Sequence, residues 1–300
     1  MALKQVKNKI VSTQKTGKVT KAMESVSAVK MRKSQERAFA GRPYVHAALR
    51  ILGRLSESQE GLSHPYAQKR ETGRQLLVIV TSDKGLAGAV NSSVLKRATE
   101  NFANNPETDV IAIGRKALEF AKREGKNVVG EYTNVADDVG LEQVYDITKL
   151  IMDDFTKGTY KNVVVIYQNF ISTFEQEATK RNILPIDPED ISDVMRGIKP
   201  KEGKFSQDRS SKDIKTTYTV EPDAEEVLNT LIPQLVQIML YHALLESKAS
   251  EHSARMVAMK NATDKSKEVV KALTLVYNKE RQAAITAEVS EISGGMEAMK

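Results

Sequence analysis

The sequence predicts an α/β protein in which two long terminal helices pair antiparallel as a coiled coil and flank an inserted Rossmann-like α/β domain. Three observations predict it. Apolar and small residues recur at heptad-like spacing over both ends of the chain. Buried-strand patterns alternate with helical ones between them. Charge is uneven: residues 1–60 hold 13 Lys/Arg against 4 Asp/Glu, a net of +9, so that in a chain of +6 overall the other 240 residues sum to −3.

The first helix is read over 3–38. Steps of three and four from Leu3 pass through Val6, Ile10, Thr13, Gly17, Thr20, Glu24, Ser27, Met31, Ser34 and Ala38. A second line, Val19, Ala22, Met23, Val26 and Val29, runs beside it. Gly41 and Pro43 interrupt the pattern, since proline removes a donor and crowds the preceding turn. Val45, Leu49, Leu52 and Leu55 resume it, and Gly61 with His64-Pro65 closes it, which bounds a first segment at 1–60.

The central segment, 74–220, has a different grammar. Leu76–Val80 is an unbroken apolar run, as a strand buried on both faces requires. Val90–Phe102, Ala117–Arg123 and Leu141–Phe155 read as helices, and Val110–Ile113, Val128–Tyr132 and Val163–Tyr167 as further strands. Strands alternating with helices imply a largely parallel sheet. Residues 185–213, with three prolines, two glycines and a serine-rich end, read as an irregular excursion.

The last segment, 222–297, opens at Pro222-Asp223 with acidic residues in the first turn. Its stripe runs from Leu228 through Leu231, Leu235, Ile238, His242, Leu245, Ala249, His252, Met256, Met259, Thr263, Ser266 and Val270 to Leu273. Pro233 predicts a kink near its start, and Gly294-Gly295 ends the pattern. Some 70 helical residues would span about 105 Å, too long for a compact domain without a partner helix. With about 57 residues in the first helix, the last overhangs by roughly 15, over about 283–297. That stretch holds Ala283, Ala284, Ile285, Val289, Ile292 and Met296, an apolar surface that calls for a cover.

Composition narrows the function classes. Hydrophobic residues at 40% and charged residues at 28% exclude global disorder. No run of about 18 apolar residues suggests a membrane span, and no apolar stretch follows the first lysines as a secretory signal would. Zero Cys excludes disulfides, thiolate metal sites and cysteine nucleophiles. The four histidines, His46, His64, His242 and His252, lack metal spacing, and the last two lie on the apolar stripe as interfacial hydrogen-bonding groups. No catalytic dyad or triad is visible, and Asp137-Asp138 and Asp153-Asp154 read as solvated positions.

Ser82-Asp83-Lys84-Gly85-Leu86-Ala87-Gly88 follows a strand and precedes a helix, where phosphates bind in doubly wound domains. It lacks both the dinucleotide and the P-loop spacing, so a tight glycine turn is the plainer reading, with a nucleotide-using enzyme as the rival. The basic first helix fits a phosphate backbone or an acidic protein partner. With no aromatic before Phe39 and no nucleic-acid-binding motif, the acidic partner is favoured over a basic scaffold that docks nucleic acid.

Both ends also resemble a known family. LKQVKNKIVSTQKTGKVTKAMESVSAVKMRKSQ (3–35) is similar to the N-terminal helix of the gamma subunit of F-type ATP synthases. ARMVAMKNATDKSKEVVKALTLVYNKERQAAITAEVSEISGG (254–295) is similar to its C-terminal helix, and VIVTSDKGLAGAVN (78–91) to its central domain. The resemblance implies a bacterial-type, non-catalytic rotor shaft at the cytoplasmic face of the cell membrane. Its partners would be the alpha and beta subunits of the catalytic ring, the epsilon subunit and the membrane c-ring. Neither nucleic acid nor a small-molecule substrate is implied, and no cofactor or metal.

Carried over by motif, Arg281 and Gln282 match the polar pair that holds the shaft against a catalytic-subunit loop. Arg255 matches another rotor-contact position. Lys9, Lys18, Met23 and Lys30 lie where the family faces acidic levers of the catalytic subunits. Ile285, Thr286, Ala287 and Glu288 open the C-terminal motif, with Glu291 and Gly295 in register. Two positions depart: Met296 replaces a small residue, and Lys9 replaces an arginine that would bond bidentately.

Overall fold

In the computed structural model the structure describes residues 3–40, 64–186 and 224–298. The expected break at Gly41–Pro43, the resumed helix to 60, His46, most of the 185–213 excursion and the helix start at Pro222-Asp223 lie outside the described residues. Ten elements follow: α1 (Leu3–Ala40), β1 (Arg74–Val80), α2 (Val90–Asn104), β2 (Thr108–Ile113), α3 (Arg115–Arg123), β3 (Val128–Tyr132), α4 (Leu141–Thr156), β4 (Tyr160–Phe170), β5 (Gln176–Leu184) and α5 (Ala224–Ala298). The architecture is the expected one, long terminal helices around a central sheet. The chain divides into two compact units, one of 1–27 with 255–300 and one of 28–254, and both long helices run through both.

The larger unit is built on a five-stranded sheet of order β3-β2-β1-β4-β5. β1 pairs parallel with β2 and β4, and β2 parallel with β3. Central β1 is buried on both faces. Leu76, Val78 and Val80 join one core with α4, the first part of α5 and Ala38 of α1. Leu77 and Ile79 join the other with α2 and α3. Helices on both faces are what lets a strand be apolar throughout. Gly114, at φ +91, links β2 to α3 where a Cβ would stand 2.1 Å from the Thr81 carbonyl oxygen, so only glycine fits.

β5 was not expected. It pairs antiparallel with β4 after the turn at Ser172–Glu175. Its sequence, QEATKRNIL, carries three charged residues, as suits a strand at the edge of the sheet among the described residues, and lacks the apolar run that marked the others.

In the smaller unit α1 and α5 lie antiparallel: Thr20 meets Thr263, and a Cβ on Gly17 would touch Ser266 at 3.3 Å. The α1 stripe from Leu3 to Ala38 is buried or half-buried at every position. The line beside it is not: Val19, Val26 and Val29 are exposed. Small residues let the helices approach until one row fills the seam, and the second row is left outside. Gly294-Gly295, expected to end α5, does not, since the helix runs through it to Ala298; the helix is also continuous past Pro233. Pro233 is the tenth residue of α5, past the four N–H groups that have no helical partner, so it removes one helical bond in a stretch whose neighbours Ile232, Leu235 and Val236 are buried in the core. One 18-residue window of α5 reaches a mean hydropathy of 1.3, with half of it buried in the protein, as a helix threaded through a core shows.

Candidate functional site: the paired helices and their anchor

The site is a surface and its support, assembled from helices. In the smaller unit the seam is pinned by the buried Thr20–Thr263 hydroxyl pair at 2.7 Å, with Thr263 Oγ1 also donating to the Met259 carbonyl at 2.8 Å. A buried polar pair with both partners satisfied fixes register where small residues alone would slide. Beside it lies a groove of about 840 Å³ edged by Lys18, Lys21, Lys267 and Lys271. Lys9 and Lys18 are exposed and Met23 is half-buried. Arg255 is buried and engaged within the chain.

Continuing the 20–263 and 17–266 pairing places Leu3 opposite Glu280, because each pair sums to 283. Beyond it every residue from Arg281 to Met296 is exposed. Ile285, Val289, Ile292 and Met296, at intervals of four, three and four, form one apolar row that is 51–67% exposed. Arg281, Gln282, Ile285, Thr286, Glu288 and Glu291 therefore all stand on a helix that has no cover among the described residues. The Thr286 hydroxyl donates to the Gln282 carbonyl at 2.9 Å.

In the larger unit the same helix behaves in the opposite way. Residues 242–253 of α5 are buried on every side, Glu246, Lys248, Glu251 and His252 included. Ser250 Oγ donates to the Gln168 carbonyl at 3.2 Å, Ser253 Oγ to Thr173 at 2.6 Å and Lys248 Nζ to Val135 at 2.8 Å. These partners lie in or just past the carboxyl ends of β3 and β4, the edge where doubly wound sheets take ligands. Protein occupies it here. The 82–88 loop is also committed: Asp83 Oδ1 accepts the backbone N–H of Arg115 at 2.9 Å and of Asn134 at 3.0 Å. Thr81 Oγ1 accepts the N–H of Ala117 at 2.8 Å, and Asn91 bonds Ser82. The loop is a cross-brace between strand ends.

A family model described as ATP synthase matches residues 2–299. The chain belongs to the ATP synthase gamma-subunit family. It is the family's central rotor shaft, and the nucleic-acid alternative gains no support. Among solved structures, a chain of the Tetrahymena thermophila mitochondrial ATP synthase central stalk and c-ring is 25% identical, with a TM-score of 0.58 over 81% of this chain and 99% of that one. A chain of the Euglena gracilis mitochondrial ATP synthase (OSCP, F1 and c-ring) has a TM-score of 0.65 over 99% of this chain and 94% of that one. At 18% identity that second likeness shows the gamma-type fold alone.

Sequence reasoning missed the anchor of this gamma-family chain. Asp137, read as solvated, accepts from Lys30 Nζ at 2.5 Å and lies 2.9 Å from His252 Nε2 and 3.8 Å from Lys248 Nζ. The His252 hydrogen bond, with Lys30 and Lys248 beside it, holds the carboxyl well below the ordinary carboxylate range against a partial burial that opposes this. Asp138 pairs with Arg37. Lys30, expected to face outward, is thus paired within the chain. The one available signal was His252 on an apolar stripe, since a histidine there needs a polar partner.

Proposed function

We propose that this rotor shaft is non-catalytic and couples proton flow through a membrane rotor ring to nucleotide chemistry done entirely by alpha and beta subunits around it. Segments 1–60 and 222–297 form the shaft. Segment 74–220 meets the c-ring and the epsilon subunit, which makes the chain a peripheral component at the cytoplasmic face of the cell membrane. Arg281, Gln282, Ile285, Thr286, Glu288 and Glu291 contact the catalytic ring at the tip, and Lys9, Lys18 and Met23 contact it lower down. Arg255 and Lys30 act from inside the chain, holding the helices that present those residues.

The observation that carries this reading is the run 281–296, an exposed helix whose apolar row has no cover among the described residues. Such a surface is stable only inside something. A sleeve of small and apolar contacts suits a turning part, because few directional bonds break at each step. Affinity purification of the tagged chain should bring down a membrane-bound ATPase with one copy of the chain per complex. Recovery of the chain without an ATPase overturns the proposal.

A further inference from the structure

We infer that Asp137 is a torque latch, a positioning residue that ties α1 and α5 to the sheet and keeps either helix from turning about its own axis under load. The inference rests on the rotor reading. Its ground is how α1 is held in the larger unit. Among the described side chains the buried ones there are Met31, Ser34 and Ala38, a row of mostly small residues. A row of mostly small side chains permits close packing but interlocks little, so it resists rotation poorly. Directional ties must supply that resistance.

They converge on one loop. Lys30 of α1 and His252 of α5 reach Asp137 from opposite elements, at 2.5 and 2.9 Å. Lys248 adds a charge at 3.8 Å while donating to the Val135 carbonyl, and Glu251 lies 4.0 Å from that ammonium. One residue on, Asp138 holds Arg37, two turns further along α1. The loop itself is fixed at both ends, by the Asn134 N–H on Asp83 and by the buried side chain of Val139. A rotation of about 20° in a helix whose side chains reach 5–6 Å from its axis moves their ends by about 2 Å. That exceeds the slack in a hydrogen bond. Both helices continue unbroken from this loop into the paired segments, so a turn prevented here is a turn transmitted there.

The test uses the assembled complex and the full isolated chain. Asp137→Asn should assemble at one copy per complex and hydrolyse ATP, yet pump fewer protons per ATP than the parent. Asp137→Glu should recover part of the loss. Because the chain has no cysteine, Lys30→Cys with Asp137→Cys gives a unique thiol pair. Joining that pair with a short bis-maleimide after assembly should restore pumping, which repair of a mere folding defect would not. An Asp137→Asn complex with parental coupling, or a cross-linked pair that pumps no better than its uncross-linked form, overturns the latch. In the isolated chain, Asp137→Asn should speed amide hydrogen exchange over 28–40 and 248–254. Unchanged protection there overturns the clamp whatever the chain assembles with, whereas failure to recover an ATPase with the parent chain counts against the rotor reading.

Discussion

Two stretches of one helix invert the usual rule of burial. Residues 242–253 of α5 include two histidines, two glutamates and a lysine, and all are buried. Residues 281–296 include Ile285, Val289, Ile292 and Met296, and all are exposed. Residue type alone would assign them the other way round. What differs is company. In the first stretch Lys248, Ser250, His252 and Ser253 bond groups in or just past the strand ends. The second has run past the end of its partner helix. A buried charge is tolerated only when paired, and an exposed apolar row persists only when a further surface covers it. The comparison therefore separates what the chain stabilises by itself from what it leaves to an assembly.

The sharpest way to break that contrast is to truncate equivalent side chains in the two places. Leu245 is fully buried in the core on one face of the sheet. Leu245→Ala should cost about 2–5 kcal/mol in urea unfolding of the isolated chain. Ile292→Ala should change it by less than about 0.5 kcal/mol, as exposed positions do. Similar losses at both sites would mean that the tip is packed within the chain.

This contrast also marks what was legible in the sequence. The stripe from Leu228 to Leu273 could be read because each position needs only a neighbour on one side, and every one is buried or half-buried. The overhang could be read from lengths, since the register that pairs Thr20 with Thr263 sets Leu3 opposite Glu280 while α5 runs on to Ala298. Leu76–Val80 declared a two-faced strand by itself. The failures share a cause, which is that long-range company overrides local pattern. Asp137 looks solvated until Lys30, 107 positions away, and His252, 115 away, are brought to it. β5 lacks an apolar run, and its place, last in the sheet among the described residues, depends on β4 beside it. Val19, Val26 and Val29 carry the spacing of a seam, but Gly17 and Ser27 let the helices close on the neighbouring row.

A smaller effect, with a pH signature, should come from the anchor. Hydrogen bonding by His252 and the nearby lysines depress the Asp137 pKa in the folded chain. A carboxyl depressed on folding contributes stability that is fully present above its unfolded value, about 3.9, and is lost as pH falls through the folded one. Asp137→Asn should therefore be less stable than the parent near pH 7, by less than Leu245→Ala because the carboxylate is partly exposed and screened. The difference should narrow below about pH 4. Urea midpoints compared across pH 3–7 measure it, and a gap that widens in acid would mean the carboxyl is not depressed.

At the tip, two changes should leave the isolated chain nearly untouched. Arg281→Ala with Gln282→Ala removes groups whose side chains are exposed. Its unfolding midpoint should stay within error, while ATPase turnover of the assembled complex falls more than assembly does. A guanidinium meeting a carboxylate or carbonyl on another chain bonds more strongly than a neutral donor. Parental turnover in a fully assembled double variant would remove the pair from the contact.

The smallest effect on the chain itself should come from the largest deletion. Removing residues 286–300 takes away most of the apolar row, yet that row is exposed and covers nothing among the described residues. Stability should change by no more than about 0.5 kcal/mol, because no core contact is removed and the seam from Val6 to Thr20 is left whole. A free helical end of roughly 18 residues is also marginal alone in water, so it opens easily and offers its backbone to a protease. Limited proteolysis should therefore cut the tip of the isolated chain first. Inside the assembled complex the same bonds should be protected, and the deletion should lower complex stability and torque while leaving some rotation, since the shaft below the tip still meets the ring. Cleavage rates measured in the two states decide the matter. If the tip is equally resistant in both, something within the chain covers it, and the division between self-stabilised anchor and assembly-covered tip fails.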